Sequence, residues 1–218
     1  GYIYGLSLGK GLIEAGIVNN VLLITAETYS KHIDPKDRGV RTIFGDGASA
    51  TLISSIEFER DLIGPFVLCT DGSGADNLIV RSGGFRVPLG EAIDKSSKRN
   101  SEKYLFMNGP EIFNFTIKTV PDTFRKLLVK ASLKAEDIDF IVFHQANIFI
   151  LEHLRKALSI NKEKFPYVME KFGNTVSSTI PIVLEELMAS GSIAPGSKAM
   201  LLGFGVGYSW GATIVEFI

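Results

Sequence analysis

The sequence predicts an α/β protein of alternating layers, and three observations predict it. Short continuous apolar runs, among them Val21-Leu22-Leu23-Ile24 and Phe140-Ile141-Val142-Phe143, have the length of strands covered on both faces. Stretches with helical apolar spacing alternate with these runs. A faint internal echo links the two ends of the chain. Val21-Leu22-Leu23-Ile24 with Gly47-Ala48-Ser49-Ala50-Thr51-Leu52-Ile53 resembles Met200-Leu201-Leu202-Gly203 with Gly211-Ala212-Thr213-Ile214-Val215, as if two halves shared one plan.

Gly1 to Ala15 reads as a helix apolar on most faces and stopped at Gly16. A helix of that kind is expected to be buried, and it starts without a capping residue, so the opening of the native domain is expected to lie outside this chain. Val21 to Thr25 is expected to be a strand covered on both faces, and Ala48 to Ser54 a second strand. The polar loop between them carries Lys31, His32, Lys36, Arg38 and Arg41 and ends in Phe44-Gly45-Asp46-Gly47, read as a tight turn. Leu62 to Thr70 is a further strand, and Asp71 to Asn100 has the composition of surface loops and short strands. Glu111 to Lys134 spaces Ile112, Phe113, Ile117, Val120, Phe124, Leu127 and Leu128 as a helix does, and Pro121 is expected to kink it or to begin a new segment. Ile138 to Phe143 is a buried strand. Asn147 to Leu158 and Ser177 to Ser190 are helices, and Lys198 to Leu202 and Thr213 to Phe217 are closing strands around a glycine-rich loop.

The bulk properties narrow the function. With 218 residues, 45% hydrophobic and 22% charged, the chain can bury a substantial core and is not of disordered type. A net charge of -1 and a pI near 6.4 offer no overall attraction to nucleic acid or to an anionic membrane. The longest uncharged run, Ala199 to Val215, is broken by Gly203, Gly205, Gly207 and Gly211 and does not read as a membrane span. One cysteine, Cys69, cannot form an internal disulfide, and the cytoplasm is the expected compartment. His32, His144 and His153 have no ligand-like spacing, so no metal site is expected.

Two places carry chemistry. His144 sits where the run Phe140 to Phe143 ends and a helix begins, in His144-Gln145-Ala146-Asn147. Gly173-Asn174-Thr175 repeats the arrangement ahead of the Ser177 helix. A ring nitrogen and an amide NH2 brought together offer two donors to one oxygen that gains negative charge. Taken singly, His144 reads as a buried histidine and Asn174 as a turn residue; the pairing points to catalysis. Cys69 invites a nucleophile reading, but it lies in a strand with no following helix to lower its pKa, and reads as a small core hydrophobe.

These two motifs, with Asp37-Arg38-Gly39 to Phe44-Gly45-Asp46-Gly47 and Gly203-Phe204-Gly205-Val206-Gly207-Tyr208-Ser209-Trp210-Gly211 in the same order, resemble the β-ketoacyl-acyl-carrier-protein synthase III family. The resemblance runs from residue 1 to residue 218. It implies a thiolase-like five-layered αβαβα sandwich, incomplete at the N-terminus, with residues 1–56 the remainder of the first half and residues 57–218 the second half. It also implies a homodimer. The family's nucleophilic cysteine lies within Cys-x-Gly, whose glycine resembles Gly1, so it would fall just before this chain begins.

The resemblance implies that His144 and Asn174 are catalytic and that the backbone N–H of Val206 serves the thioester oxyanion. It places Arg38 at the nucleotide end of coenzyme A. Met107, Gly109, Phe113, Ala146, Asn147 and Ile150 then line a pantetheine tunnel, and Phe44 and Phe204 its acyl end. Phe149 stands where the family often has an arginine that holds the carrier protein, so Lys118, Arg125, Lys126, Arg155 or Lys156 would take that task. The implied function is an acyltransferase. It condenses a short acyl-CoA primer with malonyl-acyl-carrier protein by decarboxylation, initiating fatty-acid synthesis, and uses no cofactor beyond the coenzyme A thioester. Two alternatives stay open: a related condensing enzyme of secondary metabolism with another acceptor, and a non-catalytic thiolase-fold module.

Overall fold

A computed structural model describes residues 1–88 and 102–218. The part of the expected loop region at residues 89–100 lies outside the described residues. The elements run α1 (Tyr2–Glu14), β1 (Asn20–Glu27), α2 (Arg38–Arg41), β2 (Gly47–Ser54), β3 (Ile63–Thr70), β4 (Leu78–Ile79), β5 (Phe106–Met107) and α3 (Gly109–Ala131). They continue with β6 (Phe140–Phe143), α4 (Ile148–Ala157), α5 (Met169–Phe172), α6 (Thr179–Ala189), β7 (Lys198–Gly205) and β8 (Ser209–Glu216).

The main sheet has the order β3-β8-β7-β6, with β6 and β7 parallel and the other pairs antiparallel. Side chains of a strand alternate between faces, and here both faces are covered, which is why these strands are apolar without interruption. Ile141, Phe143, Met200 and Leu202 point to one core, where α3 and α4 supply Val120, Phe124, Leu127, Leu151 and Leu154. Val142, Ala199 and Leu201 point to the other, where Tyr2, Ile3 and Leu6 of α1 meet Ile180, Val183 and Leu184 of α6. At about 25 cal/mol per Å2 of apolar surface, each fully buried Leu or Phe contributes roughly 2 kcal/mol.

α1 and α6 in turn contact the antiparallel ribbon β1–β2, so that helices, sheet, helices and sheet succeed one another. A Cβ on Gly5 would lie 2.6 Å from Leu23 Cδ1, so glycine is what lets α1 approach the ribbon so closely. A buried hydroxyl cluster ties the residues ahead of α6 to the same ribbon. Thr25 Oγ1 lies 2.7 Å from Ser49 Oγ and 2.8 Å from Ser178 Oγ.

Five expectations need correction. The β1–β2 ribbon is covered on one face only: Leu22, Ile24 and Leu52 are 60%, 62% and 66% exposed, because alternate residues turn away from α1 and no described element covers that side. Likewise α1 buries only the face of Tyr2, Ile3, Leu6 and Gly9, and Leu8 on the opposite face is exposed. Phe44-Gly45-Asp46-Gly47 is an extended passage and not a tight turn, because Phe44 bridges in parallel to Asn174. The glycine-rich loop shrinks to Val206-Gly207-Tyr208, since Gly203, Gly205 and Gly211 lie inside the β7–β8 ladder. Pro121 begins no new segment; it sits inside the single helix α3. Among the described residues no helix is long and apolar enough to cross a membrane.

Candidate active site

β6 delivers His144 to the end of the main sheet, where its backbone N–H extends the β6–β7 ladder to the Leu202 carbonyl at 2.9 Å. The chain then turns into α4, whose N-cap is Asn147: its Oδ1 accepts from the Ile150 N–H at 2.8 Å. Gln145, wholly buried, secures the turn in between. Its Nε2 donates to the Phe143 carbonyl at 2.8 Å, and its Oε1 accepts from the Val168 N–H at 3.2 Å.

Asn174 arrives from the other side of the sheet and is held on all sides. Its backbone N–H donates to the Ile43 carbonyl at 2.9 Å, and its carbonyl accepts from the Gly45 N–H at 3.0 Å. The side-chain Oδ1 accepts from the Val176 N–H at 2.9 Å, closing an Asx turn, and Nδ2 donates to the Ala146 carbonyl at 3.3 Å. The carboxamide is thereby anchored in the His144-Gln145-Ala146-Asn147 turn with its oxygen used up. One of its two N–H bonds is left for a ligand. The Asx turn holds Val176 at φ 56°, a left-handed backbone that a β-branched residue rarely adopts.

Both side chains line one cavity of about 500 Å3. Its wall includes the start of α1 at Gly1 and Tyr2, the turn at Val206, and Phe44, Met107, Ala146, Asn147, Ile150 and Phe204. Phe204 meets the His144 ring edge-on at a centroid distance of 5.3 Å. Among the lining side chains only Glu27 is a carboxylate and none is a lysine or arginine, so the interior is apolar. The Glu27 carboxylate accepts from Ser177 Oγ at 2.6 Å. Burial holds the His144 pKa down at about 4, so the ring is neutral at pH 7 and acts there as a hydrogen-bonding group and not as a cation.

Three residues expected at the site stand outside the cavity wall. Arg38 is exposed on α2. Gly109 opens α3, and Phe113 packs on the main core and against the rings of Phe149 and His153, at 5.6 and 5.3 Å. Phe149 is 69% exposed. Of the cations considered for a carrier protein, Arg155 and Lys156 pair with Glu152 and Lys126 pairs with Asp122. Cys69 lies in β3 opposite Trp210, outside the cavity wall. Among the described residues no group of three or more His, Cys, Asp or Glu could hold a metal ion.

Sequence reasoning missed Thr179, whose Oγ1 lies 2.7 Å from His144 Nδ1, and Glu27. A hydroxyl at a helix start reads as a capping residue, and no spacing rule connects it to a histidine in another element.

The arrangement has known counterparts. The family description 3-Oxoacyl-[acyl-carrier-protein (ACP)] synthase III matches residues 1–72, and the description of that family's C-terminal part matches residues 128–217. Beta-ketoacyl-[acyl-carrier-protein] synthase III of Clostridium perfringens is 40% identical over 216 residues, which are 99% of this chain and 65% of that protein. A crystal structure of a 3-oxoacyl-(acyl-carrier-protein) synthase III superposes with a TM-score of 0.94 at 50% identity, covering 99% of this chain and 66% of that one. The corresponding synthase of Thermus thermophilus superposes with a TM-score of 0.87 at 32% identity, covering 100% of this chain and 65% of that one. The chain therefore has the thiolase-type α/β fold, and it spans 65% of the length of the Clostridium relative. The two matched segments, the identity along almost the whole chain and the superpositions agree: the chain belongs to the β-ketoacyl-acyl-carrier-protein synthase III family.

Proposed function

We propose that this chain carries the condensing part of the active site of an acyltransferase that joins an acyl-CoA primer to malonyl-acyl-carrier protein and so begins fatty-acid synthesis. The observation that carries the reading is that His144, Asn174 and the start of α1 share one apolar cavity. On this reading the nucleophilic cysteine is that of the family's Cys-x-Gly, whose glycine matches Gly1, so that it stands at the start of the first helix, where the helix dipole favours its thiolate. It takes the acyl group from coenzyme A. The malonyl thioester then enters with its carbonyl oxygen between His144 Nε2 and the free Asn174 N–H. As CO2 leaves, the electron pair of the broken bond passes into an enolate on that oxygen, and the two neutral donors stabilise it. The nucleophilic carbon attacks the acyl-cysteine, the Val206 N–H holds the second oxyanion, and the thiolate departs. In an apolar cavity such preset donors act with little competition from water.

On this reading Met107, Ala146, Asn147 and Ile150 flank the pantetheine arm, Gly109 and Phe113 lie on its approach, and Arg38 meets the nucleotide phosphates. The protein works in the cytoplasm as a homodimer, with residues 1–56 and 57–218 belonging to its two thiolase-like halves. Asn174→Ala removes one donor and should slow malonyl decarboxylation about a hundredfold. Single-turnover release of CO2 from malonyl-acyl-carrier protein measures this; an unchanged rate overturns the assignment.

A further inference from the structure

A neutral imidazole carries one proton, and which nitrogen holds it decides what His144 presents to the cavity. With the proton on Nδ1, Nε2 offers a lone pair and would repel an enolate oxygen. With the proton on Nε2, it offers a donor. The partner of Nδ1 makes the choice, and in this structure that partner is Thr179 Oγ1, at 2.7 Å.

The Thr179 hydroxyl also has one proton and two places to send it: His144 Nδ1, or the Val176 carbonyl at 3.0 Å. The carbonyl already accepts the backbone N–H of Thr179 where the turn at Val176–Ser178 closes. Nδ1 is bonded to no donor but the hydroxyl among the described residues. The Asx turn of Asn174 orients this unit, because it sets the left-handed backbone of Val176 ahead of α6.

We propose that Thr179 is the positioning residue that selects the His144 tautomer: its hydroxyl donates to Nδ1 and so keeps the ring proton on Nε2, facing the cavity. The inference rests on the function proposed above for its consequence in catalysis, but not for the tautomer itself. Losing the hydroxyl frees Nδ1 to take the proton. Thr179→Val is close to isosteric and removes only that donor.

The test is 15N NMR of histidine-labelled protein at pH 7, with His144→Gln identifying the His144 signals. The expected result is a pyrrole-type Nε2 and a pyridine-type Nδ1, reversed or mixed in Thr179→Val and restored in Thr179→Ser. In turnover, Thr179→Val should lower kcat for decarboxylation about a hundredfold, the worth of one donor, with KM unchanged and recovery in Thr179→Ser. A pyrrole-type Nδ1 in the wild-type protein overturns the proposal, as does a Thr179→Val spectrum like that of the wild type. A tautomer that moves while decarboxylation does not would support Thr179 as the selector and remove His144 from the reaction.

Discussion

At the scale of single residues, the site is built by local backbone devices and not by long-range charge pairs. Asn174 serves twice, as the residue that closes an Asx turn and as the carboxamide that faces the cavity: its oxygen takes the Val176 N–H, one N–H goes to the Ala146 carbonyl, and one N–H is left free. The cost of that arrangement is carried by Val176 at φ 56°. Left-handed backbone costs an L-residue about 1–2 kcal/mol, while asparagine tolerates it. Val176→Asn should therefore raise unfolding stability by about 1 kcal/mol, since Val176 is only partly buried and gives up little apolar contact. Urea denaturation checks this, and a lower midpoint would show that the valine side chain outweighs the strain.

At the scale of elements, the site depends on close passage between segments remote in sequence. The Phe44–Asn174 bridge holds the Gly173-Asn174 turn against the strand entering β2. A Cβ on Gly45 would lie 2.2 Å from the Phe172 carbonyl oxygen, which belongs to backbone and cannot swing aside. Gly45→Ala should cost about 2–3 kcal/mol of stability, as overpacking does, and displace Asn174. Denaturation together with the decarboxylation assay tests both halves of that statement; a variant as stable and active as the parent would mean that the passage is slack. This also explains what the sequence reading of Phe44-Gly45-Asp46-Gly47 lacked. Two glycines around an aspartate look the same whether they form a turn or make room for a distant carbonyl.

At the scale of the whole molecule, the burial of His144 couples the site to folding. Its pKa is about 4 in the folded protein against an ordinary 6.5, so between those values the unfolded chain binds the extra proton and stability falls as pH falls. The shift corresponds to about 3 kcal/mol lost between pH 7 and pH 4. His144→Gln should flatten the dependence of the denaturation midpoint on pH over that window. A slope equal to that of the parent would place the titration elsewhere.

From the sequence alone came the α/β class, the strands β6, β7 and β8, the helices on either side of them and the turns that carry His144 and Asn174. These were legible because continuous apolar runs, helical spacing and turn residues are local signals, and the main sheet buries both faces as its composition requires. The tertiary structure alone decided which face of the β1–β2 ribbon is covered, why Gly45 is a glycine, and that Thr179 meets His144 across a separation of 35 residues. Such contacts arise where segments distant in the chain meet. No local pattern of polarity or propensity records what will stand on the other side.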